Sequence, residues 1–368
     1  MINNYILNHT ITMKRKYLNI IFLFIPLIIL NIISILNMYN SRYINNIYNN
    51  IFIKQIIWFI LGYLIIYIID KYKHNNIFYY SKYLYILSII LLFLVLFFGN
   101  NINGSRCWFN FFGLSFQPSE LTKFSLSLYL SYLSINKDKN ELLYIIKLFI
   151  ITLIPSILVF LEPDTGSIIS FIIIFIIILF NSKLSKNIYY ILIILSILFL
   201  LLIIILYIYY QDLLINILGN SLFYRIDRII NFTKGNSYQL ENALITIGYS
   251  PLFRFSLNNI LLYIPEAPTD FIFSFSIGNF GIMSGMLILL NLFLIDIYLL
   301  LSIKNINNKY YILFVKTFIG ILLFNQIYNI MMNIGLLPIM GIPLPFLSYG
   351  GTNTIINYLY LAFIINTK

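Results

Sequence analysis

The residues best placed for chemistry lie in Pro265-Glu266-Ala267-Pro268-Thr269-Asp270, immediately before the apolar run Phe271 to Leu301. An ionised carboxylate near a bilayer midplane costs about 2.5–3.5 kcal/mol, so an acid at the mouth of a membrane helix is a functional candidate by default. Asp270 is therefore a candidate base or cation ligand. The competing reading is a carboxylate that caps a helix N-terminus, with favourable electrostatics and no chemistry.

Four other constellations are candidates to join it. The first runs from Asn103-Gly104-Ser105-Arg106-Cys107-Trp108 to Gln117-Pro118-Ser119-Glu120-Leu121-Thr122-Lys123. Gly104 and Gly113 permit a tight loop, and Pro118 suits a first helical turn. Glu120 and Lys123 are spaced to share a helix face and pair. They are either a neutralised pair inside a bundle or the polar entrance of a cavity, with Trp108 as a sugar-stacking ring or an interfacial anchor. The second, Glu162-Pro163-Asp164-Thr165-Gly166, reads as a tight turn between two spans. In the third, Arg225 and Arg228 would face one ligand if Tyr224 to Ile229 is helical, and guanidinium forks suit phosphate. Tyr238 and Gln239 follow. The fourth runs from Asn333 to Gly351 and is dense in proline and glycine. Irregular backbone at membrane depth survives only where protein or a water-filled cavity satisfies it, so this segment is expected to line something.

The elements that position these residues are membrane helices. The chain has 368 residues, 61% hydrophobic and 10% charged, with mean hydropathy +0.91. Soluble domains carry roughly 25% charged residues. Apolar runs of about 20 residues argue for an all-α integral membrane protein and against a barrel. Ten spans are expected, near 17–36, 53–70, 78–98, 119–135, 142–161, 166–182, 187–210, 270–302, 310–334 and 351–366, with a long outer loop at 211–269 between the seventh and eighth. Residues 1–16 read as a cytoplasmic segment and 17–368 as one membrane domain. The net charge of +11 is scattered through short loops, which signals topology and not a nucleic-acid groove. With the N-terminus inside, Lys71, Lys73, Lys137, Lys139, Lys183, Lys186, Lys304 and Lys309 fall on the inner side, as does the C-terminus. Most acids fall on or near the outer side, so a site for a charged substrate is expected there. A single cysteine, Cys107, excludes an internal disulfide framework and a cysteine metal cluster.

Taken in order, Lys54-Gln55, Trp58, Gly104 to Trp108, Gln117 to Lys123, Pro163 to Gly166, Tyr224-Arg225 with Arg228, Tyr238-Gln239, Asp270 to Phe273 and Gly341 to Gly351 resemble the SEDS family, which comprises the RodA, FtsW and SpoVE proteins of bacterial wall growth. The resemblance runs from about residue 17 to the C-terminus, and the start of the second span is closest to RodA. It implies a ten-helix glycosyltransferase of the cell membrane that polymerises lipid II, for elongation or division. It also implies a class B penicillin-binding protein as crosslinking partner. The essential acid falls on Asp270 and the important outer-loop tryptophan on Trp108. Arg106, Glu120, Lys123 and Asp164 match the polar cavity residues. Arg225, Arg228, Gln239 and Ser348 are further candidates for substrate contact, and a divalent cation, Mg2+ or Mn2+, is expected on Asp270. Departures stand at Cys107, usually arginine; at Tyr249 to Arg254, usually glycine-rich; at Pro268, commonly histidine; and at Gly278 and Asn279, usually two glutamates.

The reaction so implied is attack of a sugar hydroxyl on an anomeric carbon with inversion. It needs a base and charge stabilisation at the departing pyrophosphate, to which Arg106, Lys123, Arg225 or Arg228 would contribute. The rival readings are a lipid II flippase and a wall scaffold without chemistry.

Overall fold

Apolar periodicity and length set most of the helices, and polar side chains aimed inward fix how they meet. A computed structural model describes residues 2–71, 77–102, 105–111, 114–137, 140–192, 194, 232, 237–257 and 263–366. In order these form α1 (Ile2–Ser41), α2 (Ile51–Lys71), α3 (Ile77–Phe98), β1 (Asn100–Ile102), β2 (Ser105–Phe111), β3 (Leu114–Phe116), α4 (Pro118–Ile135), α5 (Glu141–Leu161) and α6 (Thr165–Asn181). They continue with α7 (Tyr238–Tyr249), α8 (Ile272–Phe280), α9 (Ile282–Ile303), α10 (Lys309–Asn333) and α11 (Gly351–Ile365).

Six helices among the described residues are long and apolar enough to cross a membrane: α1 over Ile21–Ser41, then α2, α3, α5, α9 and α10. The expected first span, 17–36, lies wholly within α1. Helices α6 and α11 are apolar but shorter. Helix α4 is rich in serine and is buried around most of its circumference, so it is an interior helix. Most of the expected span at 187–210 lies outside the described residues, as does much of the expected loop at 211–269. The loop's described part contains α7.

Two expectations need correction. The chain is not purely α-helical, because β1, β2 and β3 form an antiparallel sheet in that order. Asn100 pairs with Trp108, and Phe109, Asn110 and Phe111 pair with Phe116, Ser115 and Leu114. Nor is 270–302 one helix. It breaks at Gly281, whose φ is +82°. The segment before it lies across the break: Arg254 and Ser256 donate backbone N–H to the carbonyls of Phe280 and Asn279, and Ile282 and Met283 donate to those of Pro251 and Leu252. A Cβ at 281 would sit 2.7 Å from the Leu252 carbonyl oxygen and 2.8 Å from the Arg254 nitrogen. Left-handed backbone costs a non-glycine residue about 1–3 kcal/mol before any clash. Gly281→Ala is thus expected to lower the Tm of the detergent-solubilised protein by several degrees, and an unchanged Tm would contradict the docked arrangement.

Polar stripes stitch the interior. On α1, Asn31 donates to the hydroxyls of Tyr63 and Tyr358, Ser34 to the Leu347 carbonyl, Asn37 to Ser276 Oγ and Asn40 to the Ser256 carbonyl. Between α9 and α10, Gln326 donates to buried Asp296 at 3.2 Å. Phe124, Phe314, Phe318 and Tyr360 pack as stacked and edge-on rings where α4, α10 and α11 meet. At one end of the bundle Ser134 meets Ser182, and Asn366 donates to the Ile69 carbonyl. The helix ends at the opposite end, near the sheet, enclose the site.

Candidate active site

The opposite end holds a cavity of about 1070 Å³, at the top of the roughly 300–1,000 Å³ range of small-molecule sites. One wall carries Ser105, Cys107, Trp108, Ser115, Gln117, Glu120, Lys123 and the turn Pro163–Ser167. The facing wall carries Glu266, Thr269, Asp270, Ile339–Pro343 and Tyr349–Asn353, and Ser237 and Gln239 come from the start of α7.

Asp270 is presented by a turn built around Glu266. The Glu266 carbonyl accepts the backbone N–H groups of Thr269, Asp270 and Phe271 at 3.1–3.2 Å. The Asp270 carbonyl accepts from the side-chain amides of Asn329, at 2.9 Å, and Asn333, at 3.0 Å. Asn329 also donates to the Ile342 carbonyl at 2.8 Å, so one side chain of α10 holds both segments of this wall. The backbone of Asp270 is therefore fixed by its neighbours, and its half-buried carboxyl is on the cavity wall. At Gly341, φ +66°, a Cβ would lie 3.7 Å from Asp270 Oδ2. The absence of a side chain there leaves room beside the carboxyl.

The expectation that the Pro/Gly-rich segment lines something holds. Its carbonyls are satisfied from outside: Ser34 donates to Leu347, Gln55 to Ser348, Tyr328 to Pro338 and Asn329 to Ile342. Ser348 braces the segment. Its buried hydroxyl donates to the Thr269 carbonyl and accepts from Leu344 N, so it acts on the position of the Thr269–Asp270 pair and is not among the lining residues.

On the facing wall Asp164 caps α6. Its Oδ2 accepts from Gln117 Nε2 at 2.9 Å, Ser119 Oγ at 3.1 Å and Ser167 Oγ at 2.7 Å, and Oδ1 accepts from Ser167 N at 3.1 Å. Turn chemistry and cavity lining are both true of it. Glu120 and Lys123 form the expected pair, 2.7 Å apart, each residue 6% exposed. Trp108 and Gln239 line the cavity as expected. Arg106 does not. Strand alternation on β2 sends the neighbouring Cys107 inward and leaves Arg106 exposed. Arg225 and Arg228 lie outside the described residues. The cation that lines the cavity among the described residues is thus Lys123, already paired. Gly278 and Asn279 lie in buried α8, where Asn279 donates to Asn37 of α1, and neither lines the cavity.

Glu162, just outside α5, is fully buried, and neither carboxyl oxygen has a hydrogen-bond partner among the described residues. The Cys107 thiol donates to its backbone carbonyl at 2.9 Å. Burial first, and the Asp164 charge second, push the Glu162 carboxyl up to about 9 from 4.5. Between those values the folded chain keeps a proton that the unfolded chain releases, so stability falls as pH rises across that window. Glu162→Gln is expected to flatten that fall, with the Tm of the two proteins converging near pH 4.5 and the variant higher at pH 8. Parallel pH profiles would contradict a buried neutral acid.

Among the described residues no three His, Cys, Asp or Glu side chains gather to hold a metal. Mg2+ commonly binds through one or two carboxylates together with substrate phosphates, and the donor chemistry of this wall fits a cation of that substrate-bridged kind.

Two residues that matter here are missing from the sequence-based candidates, Asn325, which lines the cavity, and Asn329, while Glu266, Thr269 and Asn333 lie in the singled-out stretches without a role of their own. The three asparagines recur every fourth residue on α10, a spacing that marks one helix face.

Residues 15–368 match the family model for FtsW, RodA and SpoVE, described as "Cell cycle protein". The chain is 30% identical over 378 residues to a protein of Wigglesworthia glossinidia brevipalpis named probable peptidoglycan glycosyltransferase FtsW, covering 96% of this chain and 95% of the relative. A protein of the same name from Buchnera aphidicola subsp. Schizaphis graminum is 32% identical, with 83% and 86% covered. Among solved structures, a chain of a peptidoglycan synthase complex that coordinates polymerization and crosslinking superposes with TM-score 0.75 at 23% identity, covering 92% of this chain and 96% of that one. The rod shape determining protein RodA of Thermus thermophilus does so with TM-score 0.63 at 24% identity, covering 92% and 94%.

Proposed function

The chain belongs to the FtsW/RodA/SpoVE family, and on that premise we propose that it is a peptidoglycan glycosyltransferase that polymerises lipid II into glycan strands. The observation that carries this reading is the Asp270 carboxyl on a cavity wall, its backbone held by Asn329 and Asn333. The cavity lies at the end of the bundle away from Lys71, Lys137, Lys304 and Lys309. By the bias of basic residues towards the cytoplasm, it opens to the outer face of the cell membrane, with both termini inside. With the span expected at 187–210 counted, this reading is of a ten-helix bundle. FtsW-named relatives at 30–32% identity favour a role in the division cycle over the elongation role suggested by Lys54, Gln55 and Trp58.

Asp270 takes the proton from the attacking sugar hydroxyl as that oxygen closes on the anomeric carbon of the partner sugar. Attack from the face opposite the pyrophosphate inverts the centre, and no covalent enzyme intermediate is needed. Lys123, which lines the cavity, would supply positive charge to the departing pyrophosphate, with Arg225 or Arg228 as further candidates, a contribution of several kcal/mol for a well-placed donor. In the alternative role, Asp270 would hold a divalent cation, which would add positive charge in place of the base. Trp108 offers a flat ring for sugar packing, and Gln117 and Gln239 offer amides. A class B penicillin-binding protein that crosslinks the product is the expected partner.

Reconstitution into liposomes with labelled lipid II separates the readings. Polymer supports the transferase, flipped but unpolymerised lipid II supports a transporter, and neither product supports a scaffold.

A further inference from the structure

We infer that Glu266 is a second substrate-contacting carboxylate of this cavity, accepting hydrogen bonds from sugar hydroxyls beside the one that Asp270 deprotonates. The inference rests on the transferase reading of the site. Three observations carry it. Glu266 lines the same cavity as Asp270. Its backbone is left-handed, φ +55°, a conformation that glycine adopts freely and glutamate only at a cost. The turn it anchors uses its main chain: the Glu266 carbonyl accepts the N–H groups of residues 269 to 271 and, at 3.1 Å, the Thr269 hydroxyl. The main-chain bonds of the turn therefore require the backbone of residue 266 and not a carboxylate. A glycine would build it with less strain, yet a glutamate stands there. Thr269 Oγ1 also donates to Glu266 Oε2 at 2.8 Å, which fixes the carboxylate next to the residue that precedes Asp270. A left-handed glutamate at the wall of a cavity points to use of its side chain.

A sugar ring presents adjacent hydroxyl donors, and a carboxylate accepts from such a pair through charge-assisted bonds. Asp270 then remains available for proton transfer while Glu266 sets the orientation of the ring. Orientation of this kind lowers the barrier by holding the reacting oxygen near its target.

The test uses purified full-length protein, lipid II as substrate, and three variants measured for rate, KM and Tm. Glu266→Gly is expected to keep or raise the Tm while lowering kcat/KM by about 10- to 100-fold, the scale of a lost charge-assisted contact. Glu266→Gln is expected to keep the Tm and lose activity in the same direction, with an unchanged requirement for added Mg2+. Asp270→Asn serves as the reference. If Asp270→Asn is inactive and Glu266→Gly polymerises at the wild-type rate, the inference fails and the transferase reading stands. If Asp270→Asn also polymerises at the wild-type rate, the reading of the site itself fails. A Glu266→Gly protein that does not fold would contradict the left-handed turn on which the inference depends. A raised Mg2+ requirement in Glu266→Gln would make Glu266 a cation ligand and overturn the sugar contact.

Discussion

Lys123→Met is expected to destabilise the protein by about 3–5 kcal/mol, because it strands the Glu120 carboxylate inside the bundle. Lys123 and Glu120 are each 6% exposed and 2.7 Å apart on the first turns of α4. Solvent screens such a pair little, so the discount that applies to surface ion pairs does not apply. The pair is nevertheless not a large net source of stability, since burying two charges offsets most of their attraction. The double variant Glu120→Gln with Lys123→Met should therefore recover most of what the single one loses. Thermal denaturation of detergent-solubilised protein measures both. If the losses of Lys123→Met and of Glu120→Gln alone simply added in the double variant, the charges would not interact. Because both residues also line the cavity, stability is the readout that isolates the pair.

Asp270→Asn should lower the rate of lipid II polymerisation by roughly 10²–10⁴-fold, the usual contribution of a positioned base. The substitution is nearly isosteric. Contacts through its backbone hold this residue in place: the carbonyl to Asn329 and Asn333, and the N–H to Glu266. The fold should survive, and the Tm should stay close to that of the parent protein. A large loss of Tm would mean that the carboxyl itself supports the wall, and the rate loss would then say nothing about chemistry.

Much of this was legible before any coordinates, for physical reasons that differ from residue to residue. Twenty-residue apolar runs impose spans, so α2, α3, α5 and α10 lie close to where hydropathy places them. Three-residue spacing on a helix brings Glu120 to Lys123 whatever else surrounds them. Three prolines and four glycines between Asn333 and Gly351 cannot continue a helix at membrane depth, so that segment had to be braced and to line a cavity.

Other features depend on contacts that a local pattern does not carry. Helices α8 and α9 part at Gly281 because residues 251–256 lie across it, whereas an isolated glycine in an apolar run is ordinarily tolerated within a helix. The three short strands around Trp108 decide that Cys107 turns inward and Arg106 outward, and the sequence alone does not reveal which of two neighbours faces the cavity. Ser348 sits in the most family-like stretch of the chain, yet its hydroxyl serves Thr269 and Leu344. The amides of Asn329 and Asn333 were hidden by a chain rich in asparagine, where their spacing was the available signal.

Purified wild-type protein and Asp270→Asn, matched for Tm and given lipid II with Mg2+ or Mn2+, provide the most direct measurement of the central claim. The account predicts a ladder of β-linked glycan strands from the wild-type protein and none, or a trace, from the variant. A ladder of equal intensity from both would contradict it.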